Sequence, residues 1–263
     1  MLELYQFELS QYSEKVRLIL DYKGLEYRKI EVTPGMGQLE LMQLSGQRQV
    51  PVLKDGGTVV SDSTEIAFYL ERKYPEPPLL PSNPRDRGLC LLIEEWADES
   101  IGLKGRKALI GALNRNENFR TSVLPAETPD FLKSMVGALP GDVLDILGAG
   151  VGFGGEAVTT AQNSLKQDLE ALCLMLQENH YLIGDRPTLA DLTVAGLSIL
   201  LKFPEGDYLD IPPALKGKGI PGLADTSVFE PFFLWRDRLY QDFRKAHSPG
   251  GPASTAPTAI SID

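Results

Sequence analysis

Five prolines fall within ten residues of this 263-residue chain, at positions 75, 77, 78, 81 and 84. Proline has no backbone N–H and a fixed φ, so such a stretch can neither continue a helix nor join a sheet. Strand and helix patterns alternate before it, whereas the long apolar patterns after it have helical spacing. We therefore predict a domain at residues 1–78, a linker at 79–88 and a second domain at 89–247.

The first domain is predicted to have the order βαβαββα. Residues 2–7 and 27–32 have strand patterns, with a helical pattern between them. Because that connection is helical, we expect the two strands to be parallel, joined by a right-handed crossover. Residues 50–60 predict a β-hairpin, and Asp62 followed by Glu65 predicts a capped helix.

The second domain is predicted to be all-helical. Apolar side chains recur at helical spacing near residues 89–99, 156–178, from 188 onward and near 232–239. Thr188 and Asp191 predict a capping box, a structural feature rather than a site. Residues 248–263 are small, polar and Pro-rich, so we expect a disordered tail. The predicted fold class is thus α/β plus all-α.

Composition excludes several kinds of function. The 36 acidic and 26 basic residues give a net charge of −10, which argues against nucleic-acid binding. The chain has only two histidines, His180 and His247, so a histidine-based metal site is not expected. Cys90 and Cys173 lie in apolar stretches, which predicts buried free thiols in a reducing compartment. With no signal peptide and no apolar run of about 18 residues, the predicted location is the cytoplasm.

One glycine-rich segment offers a different function. Residues 150–155 satisfy the G-x-G-x-x-G pattern of dinucleotide-binding folds. However, Asp145 interrupts the apolar run before it and Glu156 follows at once, which is unfavourable for a pyrophosphate. We therefore favour a flexible loop or a helix–helix contact there.

Four motifs occur in an order that resembles one family. They are Ser10-Gln-Tyr-Ser-Glu-Lys-Val-Arg17, Gln49-Val-Pro-Val-Leu53, Ser61-Asp-Ser-Thr-Glu-Ile-Ala-Phe-Tyr-Leu70 and Tyr181-Leu-Ile-Gly-Asp-Arg-Pro-Thr-Leu-Ala-Asp-Leu192. Together they resemble the cytosolic glutathione S-transferases, bacterial-type members with a serine-type motif. The resemblance implies a thioredoxin-like domain followed by a helical bundle. It covers residues 1–80 well, 160–203 fairly and 104–155 poorly.

The resemblance also implies a function. Glutathione would be the co-substrate, and its thiolate would be activated for conjugation to, or reduction of, an electrophilic small molecule in a detoxifying homodimer. Peroxidase or isomerase chemistry would use the same thiolate. The alternative from a different class is a catalytically weak protein that binds glutathione or serves as a scaffold.

Residue by residue, the resemblance assigns the thiol-activating hydroxyl to Ser10, at the first position of the serine-type motif. Ser13 is predicted to be the N-cap of the first helix. Tyr5, Tyr12 and Ser13 itself remain alternative hydroxyl donors. Serines stand where a Cys-x-x-Cys motif would have cysteines, so disulfide exchange is not expected.

The resemblance places the glutathione-binding residues in two segments. It implies a cis peptide bond at Pro51, with the N–H and C=O of Val50 pairing with the extended tripeptide. Gln49 is expected nearby. Ser63 is expected to bind the γ-glutamyl carboxylate, with Asp62 beside it, although both could simply be capping residues.

The pocket for the electrophile is expected to involve residues 104–155, as a lid or a wall. Glu94, Trp96 and Ile101 are the candidate wall residues, and core packing is the alternative for Trp96.

Overall fold

A computed structural model describes residues 1–32, 37–116, 119, 121 and 155–246. The N-terminal part is a four-stranded sheet in the order β2-β1-β3-β4 with three helices. This confirms the predicted βαβαββα order. The elements are β1 (Leu2–Gln6), α1 (Gln11–Tyr22), β2 (Tyr27–Glu31), α2 (Gln38–Ser45), β3 (Val52–Asp55), β4 (Thr58–Ser61) and α3 (Ser63–Lys73).

The pairing of the strands follows the predicted connections. β1 and β2 are parallel, whereas β3 is antiparallel to both β1 and β4, so the crossover and the hairpin are both confirmed. Gly56 has a φ of 61°, which the tight turn between β3 and β4 requires. Leu4, Leu18, Leu53 and Ile66 are completely buried in the main core, which α1 and α3 share with the sheet.

The C-terminal part is helical, as predicted. It contains α4 (Pro84–Ala97), a π-helical segment (Asp98–Lys104), α5 (Gly105–Arg115), α6 (Gly155–Met175), α7 (Leu189–Leu197) and α8 (Glu230–Phe243). Helix α4 begins inside the predicted linker, because proline suits the first helical position and Asn83 caps the helix. The Asn83 side chain accepts hydrogen bonds from the N–H of Arg85 at 2.9 Å and of Asp86 at 3.3 Å.

Helix α7 holds the helical part against α1. Each of its residues is buried, and a Cβ on Gly196 would lie only 2.7 Å from the Lys15 Cα, so the two helices meet at a glycine. The predicted capping box is present: Asp191 accepts hydrogen bonds from the N–H of Thr188 at 2.9 Å and of Leu182 at 2.7 Å. Helix α1 is therefore fixed to the helical core.

A buried charge network joins α1 to the end of α8. The i,i+4 spacing of Arg17 and Asp21 predicts that they pair, but this is wrong: Arg17 pairs with Glu14 at 2.5 Å. Arg244 pairs with both Glu14, at 2.9 Å, and Asp21, at 2.6 Å. Burial raises the pKa of Glu14, but the guanidiniums of Arg244 and Arg17 outweigh it and hold that pKa below its usual value.

The remaining sequence expectations have mixed outcomes. Cys90 is buried and free as predicted, but Cys173 is only half-buried. Among the residues described, no group of three or more His, Cys, Asp or Glu side chains could hold a metal ion. None of the described helices is both long and apolar enough to cross a bilayer. Residues 150–154 of the glycine-rich segment and the tail at 248–263 lie outside the described residues.

Candidate active site

A cleft of about 630 Å³ opens between the sheet domain and the helical part. Its lining comes from the β1–α1 turn, the segment before β3, the start of α3, the π-helical segment, α5 and the residues after α7. The six residues that the sequence analysis places in a site all line it: Ser10, Gln49, Val50, Pro51, Asp62 and Ser63. The fold thus brings three distant segments together.

Ser10 stands at the N-terminus of α1 and is its N-cap. Its Oγ accepts a hydrogen bond from the N–H of Ser13 at 3.2 Å, and its own N–H donates to the Phe7 carbonyl at 2.9 Å. The predicted cap at Ser13 is therefore wrong, because the helix starts three residues earlier than the apolar pattern indicates. The capping bond uses an oxygen lone pair, so the Ser10 hydroxyl hydrogen can still be donated into the cleft.

The alternative hydroxyl donors are placed less favourably. Ser13 is completely buried and does not line the cleft, and Tyr5 packs beside the small core of Val32, Leu41 and Val52. Tyr12 does line the cleft, but its hydroxyl donates to the Asp98 carbonyl at 3.0 Å. Burial, followed by the charge of Asp98, raises the pKa of Tyr12 to about 12.

The segment before β3 exposes peptide groups to the cleft. The Val50–Pro51 bond is cis, as expected. Within the part of the chain that the structure describes, neither the N–H nor the C=O of Val50 has a hydrogen-bond partner. Gln49 is exposed, and its carbonyl accepts a hydrogen bond from the Gln47 side chain at 3.2 Å. An extended peptide could therefore pair with Val50 as an additional strand.

The start of α3 forms the third part of the site. The Asp62 carboxylate caps the helix by accepting from the N–H of Thr64 at 2.9 Å and of Glu65 at 3.1 Å. Asp62 also has a φ of 77°, a conformation that costs a non-glycine residue about 1–3 kcal/mol and often marks a functional site. Ser63 follows as the first helical residue and is 3% exposed. A helix N-terminus in this position favours an anionic ligand group.

A buried cluster of polar and charged side chains around Lys15 contacts the start of α3. The Lys15 ammonium donates to Thr64 Oγ1 at 3.0 Å, Glu94 Oε1 at 2.5 Å and Asp98 Oδ2 at 2.9 Å. Burial raises the pKa of Asp98, while Lys15 opposes the shift. The cluster therefore ties α1, α3 and α4 together beneath the cleft.

The opposite wall of the cleft differs from the sequence expectation. Glu94 is used in the buried cluster, Ile101 is completely buried, and Trp96 packs against the core, so none of them lines the cleft. The wall instead includes Leu103, Arg106, Leu109, Leu200 and Phe203. Leu103, Arg106 and Leu109 recur every three residues, a helical spacing that could have identified them. As expected, part of the 104–155 segment forms a wall of the cleft, because α5 contributes Arg106 and Leu109.

Comparison with known proteins identifies the N-terminal part. Residues 4–78 match the glutathione S-transferase N-terminal domain. Glutathione S-transferase Z2 of Arabidopsis thaliana is 40% identical over 91 residues, which cover 34% of this chain and 41% of that protein. The alignment therefore spans less than half of this relative's length.

Two wider comparisons extend beyond this domain. A probable maleylacetoacetate isomerase of Caenorhabditis elegans is 25% identical over 202 residues, covering 74% of this chain and 76% of that protein. The crystal structure of the β-etherase LigF from Sphingobium sp. strain SYK-6 covers 91% of this chain and 94% of its own, with a TM-score of 0.66 and 23% identity. The fold of a glutathione S-transferase, a thioredoxin-like domain followed by helices, thus extends over the described chain.

Proposed function

We propose that this chain is a glutathione transferase that activates the glutathione thiol for conjugation to, or reduction of, an electrophilic small molecule. The observation that carries the proposal is Ser10, which caps α1 in the same cleft as the start of α3 and the peptide groups of Val50, which have no partner among the described residues. Glutathione is then the co-substrate. It lies extended along Gln49, Val50 and Pro51, with its γ-glutamyl end at Asp62 and Ser63.

The chemistry requires a stabilised thiolate rather than a metal. Lowering the pKa of a free thiol from about 8.5 to about 6.5 needs roughly 2.7 kcal/mol. A hydroxyl that donates to the thiolate supplies roughly 1.5–3 kcal/mol, and the end of α1 adds about 0.3–1 kcal/mol. In conjugation by displacement, the sulfur–carbon bond forms as the leaving group departs with the bonding pair, and the thiol proton goes to solvent.

The first test follows the ultraviolet absorbance of the thiolate while glutathione is titrated into the protein between about pH 5 and pH 9. We expect bound glutathione to ionise about two pH units below free glutathione, and Ser10→Ala to remove most of that shift. Binding with an unshifted thiol would favour the alternative, a catalytically weak glutathione-binding or scaffold protein. Absence of binding would overturn both functions.

The C. elegans relative supports a second candidate, glutathione-dependent isomerisation, because its name is probable maleylacetoacetate isomerase and it aligns with most of this chain. A thiolate that adds to an activated double bond and is expelled after rotation isomerises the alkene and is regenerated. Stoichiometry separates the two candidates: conjugation consumes one glutathione per turnover, whereas isomerisation consumes none.

We further propose that the protein works as a homodimer in the cytoplasm and contributes to detoxification. The apolar surface of α4 supports a dimer, since Leu89 is 42% exposed and Leu92 is 70% exposed. A smaller cavity of about 280 Å³, lined in part by Phe68, Leu80 and Leu91, lies beside it. Light scattering on the purified protein tests the dimer directly.

A further inference from the structure

Arg106 is a cation on the wall of the cleft that faces the proposed second substrate. Arg106 lies in α5, three residues after Leu103 and three before Leu109, and all three line the cleft. The two leucines give this wall an apolar surface on either side of the guanidinium. Among the described residues, no carboxylate lies within ion-pair distance of Arg106.

Tyr12 supports this guanidinium. The Arg106 guanidinium carbon lies over the Tyr12 ring, 5.8 Å from its centroid, a contact that holds the cation without using its N–H donors. The ring is itself fixed, since its hydroxyl donates to the Asp98 carbonyl. A Cβ on Gly102 would lie 2.7 Å from that hydroxyl, so a side chain at position 102 would displace the Tyr12 ring from this position. Arg106 is therefore held by the ring of Tyr12, which follows Ser10 by two residues in the sequence.

The other charges that line the cleft leave Arg106 as the group available to an anion on this wall. Asp98 is paired with Lys15, and Arg48 lies next to Gln49 on the glutathione side. Glu99 and Asp62 also line the cleft; besides burial, the charges of Asp98, Glu99 and Asp62 raise the pKa of Tyr12, whereas the charge of Arg106 lowers it. Among the described residues of this wall, Arg106 is thus the cation that an anionic ligand group would meet.

We propose that Arg106 is a specificity-determining residue that binds a carboxylate on an otherwise apolar electrophile. This inference rests on the proposed glutathione transferase function and adds the chemical class of the second substrate. A guanidinium presents a planar set of donors that matches a carboxylate, and the apolar side chains around it suit an aromatic or alkyl body. The same cation could instead bind a carboxylate of glutathione itself, so the test must separate these two sources.

The experiment uses two unreactive ligands that share the glutathione moiety, S-benzylglutathione and S-(4-carboxybenzyl)glutathione, with calorimetry on the full chain. The wild-type protein should bind the carboxylated ligand roughly 10-fold more tightly. Arg106→Gln should abolish that preference and leave the affinity for S-benzylglutathione unchanged, while Arg106→Lys should keep part of it. The matched control is Lys107→Gln, which removes the same charge from the neighbouring position, outside the cleft lining.

Each other outcome has a distinct meaning. Equal affinities of the wild-type protein for the two ligands would overturn the inference, and so would a preference that survives Arg106→Gln. An equal loss of both affinities in Arg106→Gln would assign the guanidinium to glutathione and also overturn it. If the wild-type protein binds neither ligand, the proposed function itself fails.

Discussion

The two walls of the cleft are built from different parts of the polypeptide. The wall from the sheet domain presents helix ends and backbone, namely the cap at Ser10, the peptide groups of Val50 and the start of α3 at Ser63. The helical wall presents side chains, with Leu109 and Arg106 projecting from α5. The first wall is defined by secondary structure and the second by amino-acid identity.

This difference suits two kinds of ligand. Backbone groups keep their direction when neighbouring side chains change, so a backbone wall serves a ligand that stays the same, as glutathione does in the proposed function. A wall of side chains can be altered without rebuilding the fold, so it serves a ligand that varies. Sequence identity follows the same division, because the domain match covers residues 4–78 and the 40% identical relative aligns over 91 residues, whereas the alignment over 202 residues has only 25% identity.

The network between α1 and the end of α8 joins the sheet domain to the helical part, and Glu14→Ala should break it. Two buried guanidiniums, Arg17 and Arg244, would lose their shared carboxylate, so the free energy of unfolding should fall by about 3–5 kcal/mol. Urea denaturation measures the change. The matched control is Glu26→Ala. Its partner, Lys245, is also C-terminal, but the Glu26 side chain is 90% exposed, so the substitution should have no measurable effect. Equal changes in the free energy of unfolding for the two variants would show that the buried network adds no particular stability.

Ser10→Ala should damage turnover with every electrophile, whatever its charge. We expect kcat/KM to fall by roughly 10- to 100-fold with the fold intact, because the donor to the thiolate is lost. Ser13→Ala provides the control, since its buried Oγ has no hydrogen-bond partner among the described residues and lies outside the cleft. A comparable loss in Ser13→Ala alone would move the role to that hydroxyl.

Ser63→Ala should weaken glutathione itself rather than the second substrate. The loss should be about 1–2 kcal/mol in binding free energy, because the helix N-terminus and the Ser63 backbone N–H remain when the hydroxyl is removed. Calorimetry with glutathione measures it. An unchanged dissociation constant would remove the Ser63 side chain from the site.

Leu109→Ala should show the smallest effect, confined to the helical wall. A half-buried leucine that loses part of its contact with an apolar substrate should lower kcat/KM by roughly 3- to 5-fold, about 0.7–1 kcal/mol. The dissociation constant of glutathione, measured in parallel, should not move. If it rises by the same factor, the two walls do not act separately.

The sheet wall could be predicted from the sequence because its determinants are local. Strand alternation and the turn at Gly56 define the hairpin, and a capping pattern marks the start of α3. The start of α1 was predicted three residues late, since Ser10 and Ser13 are equally good capping residues and only tertiary packing chooses between them.

Only part of the helical wall could have been predicted from the sequence, through the three-residue spacing of Leu103, Arg106 and Leu109. A π-helical segment precedes α5, and its i→i+5 hydrogen bonds change which side chains share a face. The wall candidates Trp96 and Ile101 contact the core rather than the cleft, and for Trp96 this is the stated alternative. Phe203 reaches the cleft from the segment that follows α7, a placement that only the assembled fold determines.

The position of Arg244 has a consequence for how the chain is made. The sheet domain is synthesised before the helical part, and domains generally start to fold while later residues are still being added. However, Arg244, the partner of Glu14 and Asp21, is translated only near the end of the described residues. The nascent domain must therefore carry these two carboxylates without Arg244 throughout translation of the helical part, with Arg17 as the partner of Glu14 in the meantime.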